Sequence, residues 1–134
     1  MQVTPVLLAL TLALAVPSCS AQQPCNLTGN WTNDLGSNMT INELNSKGEF
    51  NGSYHTAVKA TNNEIKVSPL QGYQHVKDQC KNATFGFTVN WNFSDSITVF
   101  TGQCFVNNSK EVLKTMWLLR SHVNSLEDDW KATR

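Results

Sequence analysis

Charged side chains are scarce in this chain, and they balance one another. Lys and Arg together number 10, Asp and Glu also number 10, and the formal net charge is zero. No charge of either sign precedes Asp34, and the later charges are scattered rather than grouped in blocks. A groove that follows nucleic acid phosphates needs clustered basic residues. We therefore expect no nucleic acid partner.

The residue groupings that carry catalysis are also missing. No nucleophile stands with a base, and the histidines His55, His75 and His122 occur singly, without the spacing of metal ligands. Asp128 and Asp129 are adjacent, so on a strand they would point to opposite faces. We interpret these residues as surface side chains and expect no enzymatic activity, no cofactor and no metal site.

Only one apolar run occurs, and it lies at the N-terminus. Residues 6–16 form a stretch too short to cross a bilayer comfortably, followed by Pro17, Ser18, Ser20 and Ala21. An apolar run before small residues is typical of a secretory signal peptide. The sequence predicts a signal peptide over residues 1–20 and a secreted protein, outside the membrane, with one domain over residues 21–134.

Cysteine is infrequent, with four residues in the chain. Cys19 falls within the predicted signal peptide. Cys25 precedes the first strand candidate and Cys104 lies near the end of a hairpin arm, so a disulfide between them would pin the N-terminal strand across the sheet. Cys80 is then left over, which suggests either a disulfide to a second chain or a buried or capped thiol.

Asn-x-Ser/Thr sequons are unusually frequent for a chain of this length. The seven asparagines are candidates for glycosylation: Asn26, Asn30, Asn38, Asn51, Asn82, Asn92 and Asn107. Their number fits an exported glycoprotein.

Short strand candidates follow one another along the chain, separated by turn residues. They span residues 30–34, 38–44, 49–57, 64–67, 84–93, 97–106 and 111–121. The breaks between them, such as Ser68-Pro69, contain residues that favour turns. Only residues 125–130 suggest a helical turn, with Ser125 as its cap. The pattern predicts an all-β antiparallel meander that closes into a barrel.

The fifth and sixth candidates form a hairpin with one apolar face. In the fifth, every second residue is apolar: Phe85, Phe87, Val89, Trp91 and Phe93. In the sixth, one side carries Thr98, Phe100, Gly102 and Cys104. Alternation with period two is the signature of a strand with two different environments. We expect this face to line an apolar space with aromatic rings and hydroxyls.

The seventh candidate is apolar on both faces. Leu113, Thr115, Trp117 and Leu119 share one face, and Val112, Lys114, Met116 and Leu118 share the other. The outer face of a lone barrel should be polar, so apolar residues there favour packing against another subunit. The alternative is that they are ordinary surface hydrophobic residues.

Four segments together resemble the avidin family. They are residues 29–37 (GNWTNDLGS), 52–57 (GSYHTA), 87–91 (FTVNW) and 117–121 (WLLRS), and the similarity runs from about Cys25 to Arg134. This resemblance implies an eight-stranded antiparallel up-and-down β-barrel of the avidin/streptavidin type. It also implies a homotetramer that captures biotin noncovalently in the barrel mouth.

The resemblance assigns roles to the polar residues of the site. Asn33, Ser37 and Tyr54 would donate hydrogen bonds to the ureido oxygen of biotin, and Thr56 would accept one from a ureido nitrogen. Such convergent donors resemble an oxyanion hole aimed at a bound ligand. The carboxylate end of biotin would meet Ala60, Thr61, Ser94 and Ser96.

The resemblance also assigns the apolar enclosure. The bicyclic ring system would lie between aromatic side chains, namely Trp91, Phe93, Phe100 and Trp117, with Thr98 near the sulfur and Leu119 in the same binding set. Trp130 would close the pocket of a neighbouring subunit.

The chain departs from the family pattern in two places. It stops at Arg134, where the pattern continues into an eighth strand, so we expect that strand to be missing and the domain to be C-terminally incomplete. A complete product of this length should bind weakly, whereas the parent of a fragment should bind tightly. Lys59 replaces a small hydroxyl residue, and its ammonium would either pair with the ligand carboxylate or stay solvated.

Two other functions fit a barrel of this kind. One is a lipocalin-like carrier of another small apolar ligand, and the other is a structural barrel domain that has lost biotin binding. The four polar residues Asn33, Ser37, Tyr54 and Thr56 argue against both. An apolar ligand would leave the converging donors unpaired, at a cost of about 1 to 3 kcal/mol each.

Overall fold

The computed structural model describes residues 25–76 and 82–134, which form seven β-strands and a short 3₁₀ helix. The strands are β1 (Gly29–Thr32), β2 (Asn38–Ile41), β3 (Glu49–His55), β4 (Ser68–Gln74), β5 (Thr84–Asn90), β6 (Ile97–Asn107) and β7 (Lys110–Arg120), and the helix spans Leu126–Lys131. The predicted signal peptide and Cys80 lie outside the described residues.

All seven strands belong to one antiparallel sheet in sequence order, from β1 to β7. Each strand pairs with the next, which is the up-and-down arrangement predicted from the spacing of the strand candidates. The connection between β6 and β7 is the tightest, since Asn107 and Lys110 pair directly. Asn108 and Ser109 both have positive φ, 50° and 61°, as a two-residue turn with the twist of the strands requires.

The sheet curls until the segment before β1 meets β7. The backbone nitrogen of Asn26 donates to Glu111 Oε1 of β7 at 2.9 Å. Cys25 and Cys104 form the expected disulfide, with their Cα atoms 6.0 Å apart. The bridge joins the segment before β1 to β6, so the N-terminal part of the chain is tied covalently across the sheet.

The inner face of the curled sheet holds the core. Phe85, Phe87 and Val89 are buried while their neighbours in β5 are not, which confirms the alternation predicted for this strand. Phe87 stacks on Phe100 of β6 with ring centroids 4.6 Å apart. Ile41, Leu70 and Cys104 of other strands and Leu27, which precedes β1, are also fully buried.

The fourth strand was predicted wrongly. Residues 64–67 are not a strand, and β4 instead covers Ser68–Gln74, which contains the Ser68-Pro69 pair taken as a break. Proline has no N–H to donate to a ladder. In this strand Pro69 pairs only with Ser53 of β3, because the ladder to β5 begins at Leu70. Pro69 therefore lies at the start of β4, a position where strands tolerate proline.

The helical turn lies close to where it was expected, at Leu126–Lys131, with Ser125 in the N-cap position. Ser125 does not cap the helix through its side chain, however. Its hydroxyl donates to Asp128 Oδ2 at 3.1 Å instead of accepting from a backbone N–H. The chain then returns to β7, where Thr133 forms a bridge with Arg120. In the part of the chain that the structure describes, this bridge is not extended into an eighth strand.

The outer face of the sheet has an apolar region on β6 and β7. Val99, Met116 and Leu118 are exposed there, and Val99 pairs directly with Leu118. Met116 is 77% exposed and Leu118 is 56% exposed. Within residues 25–76 and 82–134, no helix is long and apolar enough to cross a membrane.

Candidate ligand-binding site

A cavity of about 600 Å³ opens at one end of the curled sheet. Its lining comes from the β1–β2 turn, β3 and the loop after it, the β5–β6 turn, and the inner faces of β6 and β7. Volumes of this size are typical of small-molecule sites. In an up-and-down meander every second connection lies at the same end of the sheet. The β1–β2, β3–β4 and β5–β6 connections therefore meet at this end.

Asn33 orients its amide through the turn between β1 and β2. Its Oδ1 accepts from the backbone nitrogens of Leu35 at 3.0 Å and Ser37 at 2.9 Å. These bonds fix which end of the amide is oxygen. The Nδ2 group is directed to the other side, 3.5 Å from Tyr54 Oη. Asn33 therefore presents a donor to the cavity.

Ser37 and Tyr54 are buried beside Asn33 and present hydroxyl groups to the same region. Ser37 Oγ accepts from the Ala57 backbone nitrogen at 2.9 Å, which leaves its proton to donate elsewhere. Burial raises the pKa of the Tyr54 phenol above its usual 10.0, and a hydrogen bond with Ser37 offsets part of that rise. The phenol therefore keeps its proton at neutral pH.

Thr56 presents a hydrogen-bond acceptor to the cavity, whereas Asn33, Ser37 and Tyr54 present donors. Its hydroxyl donates to the Val58 carbonyl at 2.6 Å and accepts from the Val58 nitrogen at 3.2 Å. With its only proton used, the remaining lone pair can only accept. The floor of the cavity thus has three side chains that can donate and a neighbouring one that accepts.

Aromatic rings form the walls. Trp91 and Tyr54 meet edge to face, with their ring centroids 5.6 Å apart. The ring centroids of Trp91 and Phe93 are 5.7 Å apart, and those of Tyr54 and Phe100 are 5.5 Å apart. The indole nitrogen of Trp91 donates to Thr98 Oγ1 at 2.8 Å, which fixes the plane of the ring. The walls are therefore held by direct contacts before any ligand enters.

The inner face of β7 supplies the opposite wall with Trp117 and Leu119. In the single chain Trp117 is 52% exposed. Its ring is therefore available to a molecule in the cavity rather than used as core filler. Trp130 is 82% exposed and does not line this cavity.

The mouth of the cavity carries small polar groups from two loops. Ala60 and Thr61 come from the β3–β4 loop, and Ser94 and Ser96 come from the β5–β6 turn. The two serine hydroxyls are hydrogen-bonded to each other at 2.5 Å. The cavity therefore brings together the residues predicted for both ends of the ligand, with Trp130 outside it.

The cavity is also lined by residues that the sequence did not assign to the site: Leu35, Val58, Asp95, Thr115, Ser121, His122 and Arg134. Thr115 shares the face of Trp117 and Leu119, so the alternation of β7 could have identified it. His122 is exposed, as expected of a surface histidine, but it also faces the mouth. Loop residues of this kind have no periodicity that would reveal their position.

No cluster of three or more potential metal ligands occurs among residues 25–76 and 82–134. The sequon asparagines are all exposed: Asn26, Asn30, Asn38, Asn51, Asn82, Asn92 and Asn107.

The comparisons with known proteins agree with this geometry. A sequence model of the avidin family matches residues 21–134. The chain belongs to the avidin family. It is 66% identical over 130 residues to avidin of Gallus gallus, which covers 96% of this chain and 85% of that protein.

Two solved structures of the avidin fold superpose closely on the chain. The X-ray structure of a biotin binding protein from chicken has a TM-score of 0.80 and 56% sequence identity, over 84% of this chain and 92% of that one. The crystal structure of xenavidin has a TM-score of 0.79 and 54% identity, over the same shares of the two chains. The seven described strands are therefore an antiparallel avidin-type sheet.

Proposed function

We propose that this avidin-family chain is a secreted protein that binds biotin noncovalently in the cavity at the end of its sheet. The observation that carries the proposal is the set of donors formed by Asn33, Ser37 and Tyr54. The oxygen atoms of Asn33 and Ser37 accept from backbone nitrogens, so the groups that these side chains would turn to a ligand are their N–H and O–H donors. Such a set fits one strongly polar oxygen.

The cyclic urea of biotin matches the polarity of the cavity floor. Its oxygen would receive the donors of Asn33, Ser37 and Tyr54, and one of its N–H groups would donate to Thr56. Because Ser37, Tyr54 and Thr56 are buried, their bonds to the ligand would form in a medium of low dielectric constant and be stronger than in water. The similarity to the solved structure of a biotin binding protein from chicken supports this ligand.

The aromatic walls fit the rest of the ligand. Trp91, Phe93, Phe100 and Trp117 would enclose the bicyclic ring system, with Thr98 near the sulfur and Leu119 beside it. The carboxylate would lie at the mouth near Ala60, Thr61, Ser94 and Ser96. Trp91 is already held by Thr98, so little ordering remains to be done on binding.

A homotetramer is the proposed assembly. The exposed residues Val99, Met116 and Leu118 give β6 and β7 an apolar outer face that another subunit would cover. Trp130 is also exposed and is proposed to close the pocket of a neighbouring subunit. Secretion is supported by the N-terminal pattern and by the Cys25–Cys104 disulfide, which forms in oxidising compartments. The exposed sequons are proposed glycosylation sites.

The two alternative functions explain the cavity less well. A carrier of an apolar ligand would leave three donors unpaired, and a structural domain would need no cavity lined by an exposed tryptophan. Either alternative predicts that the polar side chains can be removed without a change in biotin binding.

Calorimetry and tryptophan fluorescence with biotin test the proposal. The chain should bind biotin, and Tyr54→Phe should weaken binding by at least about tenfold, because one donor to a buried oxygen is lost. Tyr73→Phe is the matched control, since Tyr73 is exposed on the outer face and donates to Glu49 at 3.3 Å. If the chain neither releases heat nor changes its fluorescence with biotin, the proposal is wrong.

A further inference from the structure

Lys59 holds its charge at the mouth of the cavity. It lies in the loop between β3 and β4 and lines the cavity, and its side chain is exposed. The ammonium donates to the Asn63 carbonyl of the same loop at 2.7 Å. An ammonium has three donors, so this bond leaves others for a ligand.

The residue that holds Lys59 is itself fixed from two sides. Asn63 Nδ2 donates to the Phe93 carbonyl at 2.8 Å, and the Asn63 backbone nitrogen donates to Thr61 Oγ1 at 3.2 Å. Phe93 lies in the β5–β6 turn, immediately before Ser94 at the mouth. Asn63 therefore links the two loops that flank the opening, and the Lys59 ammonium is positioned by this link.

Basic side chains predominate around the mouth. Lys59, His122 and Arg134 line the cavity, and Asp95 has the only side-chain carboxylate among the described lining residues. Elsewhere on the surface, Arg120 is paired with Asp129 at 2.7 Å. The ammonium of Lys59 has a neutral carbonyl as its partner instead, so its charge is not neutralised by that contact.

We infer that Lys59, positioned by Asn63, makes the site select ligands whose mouth-facing end carries a carboxylate. This inference rests on the proposed binding of biotin and adds a discrimination between its free acid and uncharged derivatives. Exposed ion pairs contribute little when both long side chains must be ordered on pairing. Here the lysine is already ordered by its bond to the loop, so less rotamer freedom is lost on binding.

The test compares biotin with biotin methyl ester on the full chain. The quantity measured is the ratio of their dissociation constants, ester over acid, by calorimetry at low ionic strength. Lys59→Met should lower this ratio about three- to fivefold, the size expected of an exposed ion pair. Lys59→Arg should retain the wild-type ratio, because the charge is kept, and added salt should lower the ratio for wild type but not for Lys59→Met.

Two further variants separate charge from loop structure. Asn63→Ala keeps the backbone carbonyl that accepts from Lys59 but removes the side-chain bond that fixes it to Phe93, so the ratio should fall toward that of Lys59→Met. Lys66→Met removes a charge from the same loop at a position that does not line the cavity, and it should leave the ratio unchanged.

The outcomes distinguish this inference from the proposed function. If Lys59→Met weakens acid and ester equally, or if Lys66→Met lowers the ratio as much as Lys59→Met does, the selectivity does not come from Lys59. If neither biotin nor its ester binds the wild-type chain, the proposed function itself fails.

Discussion

The Nδ2 atom of Asn33 lies 3.5 Å from the Oη atom of Tyr54, although the two residues are 21 positions apart in the chain. The contact joins the β1–β2 turn to β3 at the floor of the cavity. It depends on the side-chain oxygen of Asn33, which is held by two backbone nitrogens of its own turn. The local turn therefore determines which group faces the ligand.

Asn33→Asp separates the two roles of this side chain. A carboxylate can still accept from the Leu35 and Ser37 nitrogens, so the turn should persist, but it cannot donate to a ligand. Biotin affinity should fall by at least about tenfold in calorimetry, with little change in the free energy of unfolding. Asn42→Asp, at an exposed position outside the cavity, serves as the control. Equal affinity in wild type and Asn33→Asp would contradict this role.

Tyr54 makes binding and stability sensitive to alkaline pH. Its pKa in the folded chain is raised above 10.0, mainly by burial. Between the unfolded and folded pKa values the folded state holds more protons, so the free energy of unfolding falls as pH rises above about 10. Biotin affinity should be lost as the pH passes the folded pKa, because the phenolate no longer donates.

Ultraviolet titration of tyrosinate, with the curve of Tyr54→Phe subtracted, measures the Tyr54 pKa directly. Denaturant unfolding on either side of pH 10 measures the change in stability. The explanation fails if Tyr54 titrates below 10.0 or if Tyr54→Phe shows the same alkaline loss of stability.

Thr98 supports the aromatic wall by accepting from the Trp91 indole at 2.8 Å. Thr98→Val keeps the shape of the side chain but leaves the indole N–H without this partner. We expect a loss of about 1 to 3 kcal/mol in the free energy of unfolding, measured with urea. Thr88→Val, on the exposed face of the same hairpin, should change stability by no more than about 0.5 kcal/mol. Similar effects of the two variants would show that the indole bond is not important.

Leu118 tests the proposed assembly. It is exposed on the outer face and pairs with Val99, so a charge there would be buried against a neighbouring subunit. Leu118→Glu should shift the protein from tetramer to smaller species in light scattering, while its secondary structure is retained. His55→Glu, also exposed on the outer side of the sheet, should leave the mass unchanged. An unchanged mass for Leu118→Glu would contradict packing through this face.

The sequence predicts those parts of the fold that depend on local alternation. Phe85, Phe87 and Val89 repeat with period two, and the structure buries all three. The start of β4 was predicted wrongly because Pro69 was interpreted as a break. Whether a strand tolerates proline depends on where the ladder to the neighbouring strand begins, which here is at Leu70 of the β4–β5 pair. A single sequence contains no direct record of that pairing.

The candidate site, like the fold, could be predicted from the sequence only in part. Asn33, Ser37 and Tyr54 could be named only through the resemblance to a family, since no spacing rule brings a turn and a strand together. The link from Lys59 through Asn63 to Phe93 could not be predicted at all. It joins loops that are 30 residues apart through a backbone carbonyl, a group that every residue has.

The disulfide and the cavity occupy opposite ends of β6. Cys104 lies near one end of the strand and Thr98 near the other. The cross-link spans 79 positions of sequence, so it removes much conformational freedom from the unfolded chain while leaving the ligand-facing rim without covalent restraint. Amide hydrogens at the Cys104 end should therefore be the slowest to exchange with solvent, and local opening at the cavity end should not require the cross-linked end of the domain to unfold.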